Sequence, residues 1–194
     1  VGTLQVVDTI AVGQRPRGII FSPDYSKLYV CASDDDTVQV LDVATRKIVA
    51  DLPSGADPEF FDLDPDGSHL YIANEDDAMV TVMDLKTGDV IKEIEVGVEP
   101  EGMAVSPDSK LVVATSESTS MAHFIDAEKL EVVANVLVDT RPRHAAFEED
   151  GKQVWVTSEI GGTVSGLLGG ATGLVLKLNG TDDLPVNNGV FTFT

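Results

Sequence analysis

Residues 96–110 read VGVEPEGMAVSPDSK, and nearly the same phrase stands at 12–27 as VGQRPRGIIFSPDYSK and at 55–67 as GADPEFFDLDPDG. Its prolines, Pro16, Pro58, Pro100 and Pro142, follow one another at 42 residues. The aspartates of the next turn (Asp24, Asp66, Asp108, Asp150) keep that step, as does a second series, Asp42, Asp84 and Asp126. Three independent markers on one period identify a repeat protein.

Each period reads as β structure. In the second, EFFDLDPDG, HLYIANEDD, MVTVMDLKTG and DVIKEIEVG are short apolar runs parted by Asp-Gly, acidic or Lys-Thr-Gly turns. No window sustains the i, i+3, i+4, i+7 stripe of a helix, which excludes helical repeats of similar period. Four strands in ~40–45 residues form one blade of a β-propeller. The expected fold class is therefore all-β: a β-propeller of four-stranded antiparallel blades on a 42-residue repeat. About four blades fit in the chain, an incomplete ring.

Thirty-three acidic residues against thirteen basic ones give the 194 residues a formal charge of −20. That charge repels nucleic acid and anionic lipid, both of which require a basic footprint. The single cysteine, Cys31, lies in the apolar run KLYVCAS and reads as a buried thiol without a disulfide partner. No apolar run is long enough to span a membrane as a helix. The chain begins at Val1 rather than methionine, which leaves open a signal peptide removed from, or not included in, this sequence.

The stretches LYIANEDD, VGVEPEGMAVSPDSK, TSESTSMAHFIDAEKLEVVANVLVDTRPR and VWVTSEIGGTVS resemble the YVTN-type β-propellers. Within them, they are similar to the group associated with pyrroloquinoline-quinone-dependent alcohol catabolism. The resemblance covers residues 1 to about 165. It implies a seven-bladed propeller exported to the periplasm and does not imply a known reaction, since the group is defined by its association with the quinoprotein pathway; a non-catalytic binding or scaffold module is the expectation. Broader relatives occur in bacterial and archaeal surface layers.

The expected units are an outer strand of a preceding blade at 1–13, full blades at 14–55, 56–97 and 98–139, and a partial blade at 140–165. The third strand of each blade ends VLD (40–42), VMD (82–84) or FID (124–126), but at 163–168 the chain reads TVSGLL, with Leu168 in place of the aspartate. Residues 166–194 are Gly-rich and carry only Lys177, Asp182 and Asp183 as charges. They resemble the start of a bacterial immunoglobulin-like surface repeat, or form a degenerate last blade with ATGLVLKL standing for KTGDVIKEI. An incomplete ring leaves apolar sheet faces bare. Self-association, a larger parent chain, or a hairpin of GLVLKL with GVFTFT would each cover them.

In an up-and-down blade the innermost strand begins at the mouth of the central channel, where a proline presets φ and no backbone donor is needed. The repeated phrase marks that mouth. Around its prolines stand Arg15 and Arg17, then Asp57 and Glu59, then Glu99 and Glu101, then Arg141, Arg143 and His144. Two readings remain: neighbouring arginines and glutamates pair across blade junctions, or the arginines hold a carboxylate- or phosphate-bearing ligand. The acidic loops SDDD (33–36) and NEDD (74–77) lack the spacing of a calcium loop. His69, His123 and His144 do not cluster as zinc ligands. Trp155, between Val154 and Val156, reads as core. No nucleophile elbow, phosphate-cradling glycine loop or Cys-His pair is present, so neither catalytic residues nor cofactors are expected. The leading function is a periplasmic or extracellular binding propeller taking a protein or small anionic ligand. The alternatives are a structural surface protein and, third, a lactonase-like enzyme.

Overall fold

The computed structural model describes residues 2, 4–160, 164–168, 174–178 and 182–186, with side chains through 160. Its strands fall into antiparallel sheets in chain order. The first holds β1 (Pro16–Phe21), β2 (Lys27–Ala32), β3 (Thr37–Asp42) and β4 (Lys47–Pro53). The second holds β5 (Pro58–Leu63), β6 (His69–Asn74), β7 (Met79–Asp84) and β8 (Asp89–Glu95). The third holds β9 (Pro100–Val105), β10 (Leu111–Ser116), β11 (Met121–Asp126) and β12 (Glu131–Leu137). The fourth holds β13 (Pro142–Phe147), β14 (Gln153–Ser158), β15 (Val164–Leu168), β16 (Leu174–Leu178) and β17 (Asp182–Val186). Among the described residues the one helical element is a 3-10 turn at Ser33–Asp35, and no helix is long and apolar enough to cross a membrane. The architecture is that of propeller blades on the expected repeat.

The period extends to backbone conformation. Left-handed φ recurs at Arg15, Asp57, Glu99 and Arg141; at Tyr25, Gly67, Ser109 and Gly151; at Asp36, Ala78 and Ser120; and at Arg46, Gly88 and Leu130. Each set holds one turn position of the repeat, yet glycine fills only three of these places. Elsewhere an L side chain bears the local cost because the surrounding hydrogen bonds demand the turn. The periodic aspartates supply some of those bonds. Asp24, Asp66, Asp108 and Asp150 each accept the N–H two residues on, and Asp42, Asp84 and Asp126 accept the N–H groups of the turn into the outer strand.

The core lies between sheets. Tyr29, Cys31, Val38 and Val40 of the first pack on Phe61, Leu63, Leu70, Ile72 and Met83 of the second. Tyr71, Ala73, Val80 and Val82 of the second pack on Met103, Val112, Ala114 and Ile125 of the third. Val113, Ala122 and Phe124 of the third pack on Ala145, Val154 and Val156 of the fourth. Alternate residues of one strand thus serve opposite neighbours, which is why middle strands read as unbroken apolar runs. Burial pushes the Cys31 thiol up, away from thiolate chemistry.

Trp155 corrects the sequence reading: it is 42% exposed, whereas its repeat counterpart Tyr71 is 1% exposed. The counterparts are covered by the next sheet, and no described side chains follow the fourth. Ile19 shows the reverse face, 60% exposed where Phe61 is 1%. Among the described residues of 1–13 no strand forms; an outer strand is held by its blade's third strand, and no described strand lies ahead of this segment to hold it. At the other end β15 runs across the boundary expected at 165, and β16 takes the fourth place in the sheet. Leu174–Leu178 pairs with Asp182–Val186, its near neighbour in sequence; the expected partner GVFTFT lies outside the described residues.

Candidate functional site at the channel mouth

Strands β1, β5, β9 and β13 contact one another in turn and are the innermost of their sheets. Each begins with the same device. The left-handed residue before the proline turns its carbonyl to accept an N–H from the end of the sheet's second strand: Ser33 to Arg15, Glu75 to Asp57, Glu117 to Glu99 and Glu159 to Arg141. The mouth therefore carries three side chains per sheet. They are the residues before and after the proline and the one that closes this bond.

The arginines point at carboxylates of the adjacent sheet. Arg15 pairs with Asp57 and, at 2.7 Å, with Glu59 Oε1, while Arg17 Nε reaches Glu59 Oε2 at 2.6 Å. From the other side, Arg143 pairs with Glu101, with Glu117 Oε2 at 2.5 Å and with Glu159 Oε2 at 2.8 Å. Arg141 Nη2 lies 2.5 Å from Glu117 Oε1, and its Nε 3.1 Å from Glu159 Oε2. Glu59 and Glu101 are 4% and 7% exposed, so these pairs are shielded from solvent on the carboxylate side. Glu99 turns back to its own sheet and accepts from Ser118 Oγ. His144 lies farther down β13 and meets the Phe60 ring edge on, 5.0 Å between centroids.

Sequence reasoning placed the nine residues around the phrase prolines at one end of the inner strands but missed Glu117, Glu159 and the role of Glu75. All three follow the second strand at steps of 42 residues, and that spacing was the available signal. Burial, then a carboxyl–carboxyl hydrogen bond to Glu117, pushes Glu101 up to about 8 against the opposing pull of Arg143. Burial and a bond to Glu59 push Glu75 up to about 7. Glu59–Glu75 and Glu101–Glu117 are repeat-related pairs of adjacent carboxyl groups, which resist ionising together, so Glu75 and Glu101 keep their protons toward neutrality.

Oxygens of Asp57, Glu59 and Glu75 lie within 4.8 Å of one another, but the Arg15 guanidinium already meets all three. The acidic loops serve as backbone caps: Asp35 accepts from Gln14 N–H, Asp36 from Asp57 N–H and Asp77 from Ala56 N–H. His69 bonds Asp64 at 2.6 Å, and His123 has both ring nitrogens engaged, by Asn135 and Gly97. The three histidines stay apart.

Comparison with curated proteins returned no match. Among solved structures the chain is similar to hydrazine synthase of Kuenenia stuttgartiensis, at 25% identity and a TM-score of 0.75. The alignment covers 94% of this chain and 52% of that one, so the chain spans about half the length of that relative. Residues 23–146, well over half of the sequence, match the family described as Cytochrome D1 heme domain. The chain thus belongs to the cytochrome D1 heme domain family.

Proposed function

We propose that this chain is a non-catalytic propeller module of the periplasm whose channel mouth binds a cationic group of a ligand or partner. The observation that carries this reading is the composition of the mouth. Arg15, Arg17, Arg141 and Arg143 are all committed to ion pairs, and the carboxyl groups around them (Asp57, Glu59, Glu75, Glu99, Glu101, Glu117, Glu159) outnumber them. An incoming anion would have to displace these carboxylates, whereas a cation can displace a proton from a carboxyl pair. The YVTN-type motifs attach the module to pyrroloquinoline-quinone-dependent alcohol oxidation as a binding or scaffold component.

The family name implies a heme, which requires a flat apolar slot, a free axial donor and cations for its carboxylates. Among the described residues the arginines are already matched by acids, His123 has no free ring nitrogen, and the His144 ring is packed edge-on against Phe60. These residues do not fit a heme.

The test is calorimetric titration at low salt with tetralysine and, separately, citrate. Tetralysine should bind and should weaken about tenfold or more, over 1.4 kcal/mol, in a Glu59→Gln/Glu101→Gln variant. Tighter binding of citrate, lost on replacing Arg15 and Arg143, would reverse the assignment.

A further inference from the structure

The connector entering each sheet is tied to that sheet's own side chains, and the third sheet departs from the first two. In the first, Gln39 Oε1 accepts from Gly13 N–H at 2.7 Å and Asp35 Oδ2 from Gln14 N–H at 2.8 Å. In the second, Asn74 Oδ1 accepts from Gly55 N–H at 3.2 Å and Asp77 Oδ2 from Ala56 N–H at 2.5 Å. The third has His123 at the place of Gln39, Thr119 at that of Asp35 and Asp77, and Asn135 at that of Asp51 and Glu93. Two carboxylates have become neutral polar groups in a chain of formal charge −20.

The substitutions change what the site offers. Gly97 N–H donates to His123 Nε2 at 3.0 Å, which leaves the proton on Nδ1 to donate to Asn135 Oδ1 at 2.6 Å. The imidazole is thus held neutral, and burial lowers its pKa in the same direction. Gly97 is required, since a Cβ there would overlap Thr119 Oγ1 and come within 2.7 Å of His123 Nε2. Thr119 Oγ1 and Ser116 Oγ are buried atoms without a hydrogen-bond partner. Unpartnered buried hydroxyls are costly, and a native structure that keeps them has a reason to. Beside them a cavity of about 370 Å³ opens between the end of β8 and strands β11 and β12, with Met121 and Val132 as its apolar wall. That size lies within the range of small-ligand sites, ~300–1,000 Å³.

We propose that this cavity binds a small uncharged polyhydroxy compound of monosaccharide size. Thr119 and the Asn135 amide nitrogen supply donors and an acceptor for ligand hydroxyls, and Met121 with Val132 supplies a surface for the C–H face of the ring. Loss of both carboxylates removes the reason to select a cation, and Glu95 at the rim disfavours an anion. The site lies on the outer strands and is independent of the channel mouth.

The full chain is titrated with D-glucose, D-glucuronate and D-glucosamine while the Met121 methyl and His123 ring signals are followed by NMR. Glucose should shift both saturably, and more strongly than either charged analogue. Thr119→Asp restores the acid that caps the connector at Asp35 and Asp77, so it should keep the dispersed spectrum and lose the shift; Asn135→Asp should do the same. Tetralysine binding at the mouth should be unchanged in both variants. An absent or unsaturable response to glucose, preference for a charged analogue, or undiminished shifts in Thr119→Asp would overturn the proposal.

Discussion

Phe60 and His144 meet ring edge to ring face, 5.0 Å apart at 89°, although a whole sheet separates their strands in sequence. The intervening inner strand carries Gly102 at the equivalent position. A Cβ there would come within 2.7 Å of both the Arg143 carbonyl oxygen and His144 Cα. The missing side chain is what allows β9 and β13 to approach and His144 to reach past β9 to Phe60.

Gly102→Ala should therefore force these strands apart. Because the obstructing atoms are backbone, the expected cost is about 1–3 kcal/mol, the range for overpacking a core. Urea unfolding measures it, and an unchanged midpoint would show that the junction yields without loss.

The carboxyl pairs set a dependence on alkaline pH. Folding raises Glu75 to about 7 and Glu101 to about 8 from an ordinary value of 4.5. The folded state holds these protons longer than the unfolded chain, so their stabilisation is complete below about pH 4.5 and is lost as pH rises through 7 and 8. Glu75→Gln/Glu101→Gln should flatten that decline in urea midpoints between about pH 5 and pH 9. The turn aspartates act oppositely. Asp24, lowered to about 2 chiefly by its bond from Ser22, and Asp42, lowered by Thr45, contribute stability that disappears as acid protonates them.

Removing Arg143 should expose what it offsets. Arg143→Ala leaves Glu101 and Glu117 facing each other without their cation, so Glu101 should rise further in a carboxyl NMR titration. Breaking a fully buried pair costs ~3–5 kcal/mol; with the guanidinium a third exposed, about 1–3 kcal/mol is expected. Adding Glu117→Gln should restore much of it. A loss unaffected by that second change would assign Arg143 a packing role.

Ile19 and Phe61 occupy one repeat position in opposite environments. Phe61→Ala should cost about 3–5 kcal/mol, as for a buried aromatic. Ile19→Ala should stay within about 0.5 kcal/mol if its face is open in solution. A core-sized loss at Ile19, paired with a dependence on protein concentration, would show a second copy seated there.

The period, the four strands per repeat and the turn positions were legible because each depends on residues close in sequence. A proline presets its own φ, and an aspartate caps an N–H two residues away. The address of the mouth was legible for the same reason, since strand order places every phrase proline at one end. Which side chains meet there depended on contacts between sheets. Arg17 reaches Glu59 across 42 residues, Arg143 reaches Glu101 across 42, and Phe60 reaches His144 across two repeats. Glu75 and Glu117 joined the site through backbone bonds to Asp57 and Glu99 that no local pattern announces. Trp155 makes the same point from the other side, since its alternation with Val154 and Val156 marks a strand. Its exposure follows from the neighbour packed on that strand, because a side chain in a two-faced sheet is buried only by the next sheet over.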